Sequence, residues 1–128
     1  GLDGLELVSS SGAAMTAALG RAIRRDRWVV VTAWNPHWMF ARWDLRYLDD
    51  PQGVLGGKER IHAIVRKGFY QDHPSEVTEL LARMYIPLDE LEAALLIAIE
   101  ASVDEAVEGY LEDHPQRVEY WVTGELGD

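Results

Sequence analysis

Cysteine is missing altogether from these 128 residues. Disulfides, thiolate catalysis and zinc–thiolate centres are thereby excluded, while the compartment stays open. Basic residues are few. Twelve Lys and Arg stand against 22 Asp and Glu, a formal net charge of −10. A nucleic-acid surface needs a basic face, so no nucleic-acid partner is expected. The one basic cluster, Arg21, Arg24, Arg25 and Arg27, closes a helical pattern, where positive charge complements the helix dipole. The longest apolar run, Ala93 to Ile99, falls far short of the ~18 residues that a membrane span needs. The chain opens on Gly1, with neither a basic stretch nor an apolar core after it. That start is expected to be a processing boundary, with any targeting segment outside these residues.

What is present suits a globular domain. Hydrophobic residues make up 48% and charged residues 27%. Leu5 to Val8 reads as a short strand, and Ser9, Ser10 and Ser11 are candidate N-caps for the helix that follows. Met15, Ala18, Leu19, Ala22 and Ile23 recur at three and four and mark its apolar face, with Asp26 and Arg27 at its end. Trp28 to Thr32 is a continuous run without alternation, which predicts a strand buried on both faces, as in a parallel sheet. Pro36 ends it, making 33–38 a loop at the carboxyl end of a strand, where open α/β sheets bind ligands.

Further along, Asp49 to Gly53 and Gly56-Gly57 read as turns, and Ile61 to Val65 as another strand. Pro74 suits the first position of a helix carrying Val77, Leu80, Leu81 and Met84. Asp89/Glu92 and Ser102/Glu105 have capping-box spacing and open helices over 89–100 and 103–113. A last helix covers 115–122. The expected class is α/β, a few strands with several helices packed on them. With so few strands, the sheet is expected to be partial, or completed by a partner.

The chemistry concentrates in Trp34, Asn35, Pro36, His37, Trp38, Met39 and Phe40, followed by Trp43. One reading is plain packing, which suits Met39, Phe40 and Trp43 in particular, because large apolar side chains usually serve a core. The other treats Trp34 as one wall of an aromatic cage. An indole face attracts a cation, and a quaternary ammonium group, which can donate no hydrogen bond, is the ligand that such a cage suits. His37 would then donate to a ligand carboxylate. No metal site is expected, since His37, His62, His73 and His114 lack ligand spacing. Neither is an enzyme: the serines at 9–11 lack a nucleophile elbow, and Gly53, Gly56 and Gly57 do not form a phosphate loop. The acidic residues over 89–113 are read as solvated helix faces. No cofactor is called for.

Residues 29–40, Val-Val-Val-Thr-Ala-Trp-Asn-Pro-His-Trp-Met-Phe, resemble the TGW-x-PHWMF signature of the glycine betaine/proline betaine substrate-binding proteins of ABC importers. Asp44 to Pro51 is similar to that family's DLKYLxDP, and Ile61 to Gly68 to its IHxIxRKG. Ala13-Ala14-Met15 and the final helix from Pro115 to Trp121 also fit. The resemblance runs in order through the whole chain and corresponds to the C-terminal half of the family. Ala33 departs from it, standing where many relatives have glycine.

That resemblance implies a partial type II periplasmic-binding-protein fold, in which two lobes close on a ligand. Residues 1–28 would be the end of the distal lobe, 29–34 a hinge strand, and 35–128 the C-terminal part of the other lobe. Trp34 would be the cage wall and His37 the carboxylate contact. Trp38 is a further candidate, with Asn35 and Pro36 shaping the loop. The family's other cage tryptophans and carboxylate-binding amides lie upstream of these motifs, so the chain would hold part of a site. The implied ligand is glycine betaine, proline betaine, or a choline- or carnitine-like compound. The implied partners are ABC permease subunits, and the implied location is extracytoplasmic. The alternative is an assembly fragment that forms a homodimer by exchanging elements and binds no ligand alone.

Overall fold

A computed structural model describes residues 4, 6–57 and 60–125. It divides into two units, Gly1–Asn35 and Pro36–Asp128.

Among its described residues, the first unit holds one helix, α1 (Gly12–Ile23). Of the three candidate serines, Ser11 is the cap, its hydroxyl accepting from the Ala14 N–H at 3.3 Å. Leu19 and Gly20 are the buried positions of α1. The helix ends at Ile23 with Arg24 as its C-cap, and in the turn that follows Asp26 takes a left-handed φ of 50°, a conformation to which aspartate is better suited than most residues.

The second unit is a helical assembly. Short α2 (Trp38–Arg42) and α3 (Phe69–Asp72) precede α4 (Ser75–Arg83), α5 (Leu88–Glu100), α6 (Val103–Asp113) and α7 (Pro115–Thr123). Packing runs α2 on α5, α5 on α6, α6 on α7, and α7 on α4. Ser102 caps α6 as its spacing predicts, accepting from the Glu105 N–H at 3.1 Å while its hydroxyl lies 3.2 Å from the Glu105 carboxylate. Gly124, at φ 79°, ends α7 in the left-handed conformation of a helix C-cap. The turn at 50–55 also forms: the Gly53 N–H reaches the Asp50 carbonyl, and the Leu55 N–H reaches the Asp50 carboxylate at 2.8 Å.

The α/β expectation fails. Among the described residues there is no strand. Leu5 lies outside the described residues, and 6–8 are irregular. Residues 28–32 and 61–65 form no ladder. Trp28, at the start of the strand predicted to be buried, is 98% exposed, and Ile64 in the second segment is 92% exposed. The cause is physical. A helix closes its hydrogen bonds within itself, whereas a strand exists only against a neighbour. Residues of β-forming type therefore remain extended where no partner pairs with them.

Two local readings change as well. Pro74 precedes α4 as its cap instead of opening it. α5 begins at Leu88 after Pro87, with no side-chain cap, so Asp89 and Glu92 form no capping box.

Candidate functional site

The loop singled out by the sequence divides at the boundary between the units. Trp34 and Asn35 belong to the first, and both are exposed, Trp34 by 58%. Pro36, His37 and Trp38 belong to the second and are half-buried.

His37 is the N-cap of α2, which is the local reason for a helix there. Its backbone is extended (φ −152°, ψ 136°), and its Nδ1 accepts from the Met39 N–H at 3.2 Å. Histidine is an unusual cap, but the same logic applies as for serine: an acceptor satisfies an orphan N–H of the first turn. The bond has a chemical consequence. A backbone N–H can only donate, so Nδ1 must be unprotonated, and in a neutral imidazole the proton then sits on Nε2.

The His37 backbone N–H donates to Oε1 of Glu92, in α5, at 3.4 Å. Glu92 is only 7% exposed, the one buried charged residue among those described. Met39, in the same turn, is completely buried. Nearby, Phe40 stacks on Tyr47 at 5.3 Å between centroids. Partial desolvation raises the Tyr47 hydroxyl above its ordinary value of 10, and the Glu92 charge adds to this.

The aromatic faces of α2 attract a cation of the chain itself. Trp38 and Trp43 lie 5.7 Å apart, tilted by 51°. The Arg42 guanidinium sits over both rings, 5.1 Å from Trp38 and 5.9 Å from Trp43. Arg42 also pairs with Glu100 of α5. Trp38 and Trp43 thus form a cation–π cluster holding α2 to α5, and a ligand at Trp38 would compete with Arg42.

Glu92 and Arg42 are the features that sequence reasoning missed. A signal existed for the first: Glu92 is a lone acid at the head of the apolar stretch 91–99, where a solvated carboxylate does not belong. No group of His, Asp or Glu among the described residues could hold a metal. No helix among them is long and apolar enough to cross a membrane. A hollow lined by Ala63, Val65, Phe69, Tyr70 and Leu81 includes none of the candidate site residues.

Comparison with known proteins places this loop in context. Residues 1–113 match the OpuAC family, the substrate binding domain of the ABC-type glycine betaine transport system, and the chain belongs to that family. It is a family of substrate-binding proteins and not of enzymes. A glycine betaine/carnitine transport binding protein, GbuC, from Listeria monocytogenes serotype 1/2a (strain 10403S) is 40% identical over 122 residues. Those residues are 95% of this chain and 41% of that protein, so the chain spans less than half the length of this relative.

Proposed function

We propose that the chain carries part of a binding site for a quaternary-ammonium zwitterion, glycine betaine or a carnitine-like compound, taken up by an ABC importer. The observation that carries this reading is the His37 ring, whose cap on α2 commits its proton to Nε2. A ring that presents one fixed N–H suits the carboxylate end of such a ligand. Trp34, three positions earlier in sequence and exposed, suits the other end, since an indole face holds a trimethylammonium group by cation–π attraction. Family membership supports both assignments.

In this reading Asn35 and Pro36 shape the loop and Trp38 borders it. The remaining cage walls come from outside these residues. Residues 29–34 serve as the hinge between 1–28 and 35–128, closure traps the ligand, and an extracytoplasmic complex delivers it to permease subunits. Proline betaine and choline share the head group and compete for the same cage.

Isothermal titration of the chain with glycine betaine, repeated with Trp34→Ala, tests the reading. Saturable heat lost in the variant supports it. Equal binding by the variant removes Trp34 from the site.

A second reading has its own observation. Trp28, Ile61 and Ile64, in segments of strand-forming composition, are each more than three-quarters exposed. Exposed apolar segments of this kind favour a homodimer formed by exchanging elements. A dimeric mass by light scattering, without any response to glycine betaine, selects this alternative.

A further inference from the structure

The reading above gives Glu92 no role, yet it is the one charged residue that the described part of the chain buries. Burying a carboxylate is costly unless it is hydrogen-bonded. Glu92 therefore calls for an account of what it holds.

In a capping box, the N-cap side chain accepts from the first turn, and an acid three positions on returns a bond to the N-cap N–H. His37 performs the first half through Nδ1 and Met39. The residue three positions on is Phe40, which cannot accept a hydrogen bond. The second half is supplied instead by Glu92, from α5, 55 positions away.

We infer that Glu92 is a positioning residue of the ligand site, holding the His37 backbone so that the ring keeps its Nδ1 on Met39 and its proton on Nε2. The inference rests on the reading of His37 as the carboxylate contact. Two further observations fit it. α2 has only five residues, too few to hold itself in water, so the loop depends on what α5 offers. Glu92 also lies on the helix against which α2 packs, and that packing fixes where the acceptor stands. A change on α5 would therefore reach the ligand through the N-cap of α2, without Glu92 touching the ligand.

The test uses Glu92→Gln, which keeps an acceptor oxygen in nearly the same shape, and Glu92→Leu, which removes it. NMR reads the ring nitrogens and amide of His37, and glycine betaine is titrated into each chain. Glu92→Gln is expected to keep the Nε2–H tautomer and the parent affinity within about twofold, and Glu92→Leu to mix the tautomers and weaken binding about tenfold. The resonances of Trp121, on α7, should stay in place in both. Unchanged ring nitrogens and affinity in Glu92→Leu overturn the inference. So does a loss in Glu92→Gln equal to that in Glu92→Leu. Should the Leu variant fail to fold, Glu92→Gln decides alone: parent-like ring signals support the inference, and altered ones overturn it. A parent chain that ignores glycine betaine contradicts the proposed function only, because the ring signals still report whether Glu92 positions His37.

Discussion

Arg117 of α7 grips the carboxylate of Glu90 in α5 with both terminal nitrogens of its guanidinium, Nη2 reaching Oε1 at 3.0 Å and Nη1 reaching Oε2. The Tyr110 hydroxyl of α6 donates to the same Oε2 at 2.8 Å, and His114 Nε2 stands 3.5 Å away. One carboxylate thus joins three helices. Tyr110 also stacks on His114 and on buried Trp121, with ring centroids at 4.3 and 6.1 Å.

This junction sets a pH dependence. Arg117, followed by Tyr110, holds the Glu90 carboxyl below its ordinary value of 4.5. A carboxyl whose folded value is lowered contributes stability that is complete above 4.5 and is lost as pH falls through the folded value. Urea midpoints measured across the acid range should therefore fall less steeply with pH in Glu90→Gln than in the parent. Parallel curves would show that Glu90 carries no linkage.

The His37 cap and the proposed His37 ligand contact separate by substitution. Asparagine is a good N-cap but lacks the ring donor. His37→Asn should melt close to the parent while losing glycine betaine affinity. His37→Ala should lose the affinity and in addition about 1 kcal/mol of stability. Calorimetry and titration of both variants check this pair.

Burial separates two methionines. Met39 is completely buried, whereas Met84 is 48% exposed. Met39→Ala should cost about 2–5 kcal/mol in urea unfolding. Met84→Ala should stay within about 0.5 kcal/mol of the parent.

The end of α7 supplies a backbone prediction. Gly124 has φ 79°, and a Cβ there would come within 2.8 Å of the Arg83 guanidinium carbon. Arg83 can swing aside, although it would give up its bond to the Val122 carbonyl, 3.3 Å long. The strained dihedral remains, so Gly124→Ala should cost about 1 kcal/mol, read as a lowered midpoint in urea.

The helices were legible because their signals are local. The spacing of Met15, Leu19 and Ala22 and the Ser102/Glu105 box each act within a turn or two, and α1 and α6 form where they indicate. The strands were misread because Val29 to Val31 carries a preference for extended backbone, and a ladder needs a partner that is not found among the described residues. Trp28 shows the consequence, predicted at the start of a buried strand and found almost fully exposed. At the proposed site, the Trp34-to-Trp38 motif is contiguous in sequence and could be singled out without a structure. The Glu92–His37 bond stayed hidden because it joins residues 55 apart. Glu92 moreover had a local explanation, a box with Asp89, which the start of α5 at Leu88 overrules.

The claim at the centre of this account is that Trp34 reads a quaternary ammonium group. Its indole N–H gives an NMR signal that can be followed while glycine betaine is added to millimolar concentrations, with glycine, which lacks the methyl groups, as the control. A saturable shift of the Trp34 signal, accompanied by His37, is expected with glycine betaine and none with glycine. A Trp34 signal that stays in place, or that moves equally with glycine, would contradict it.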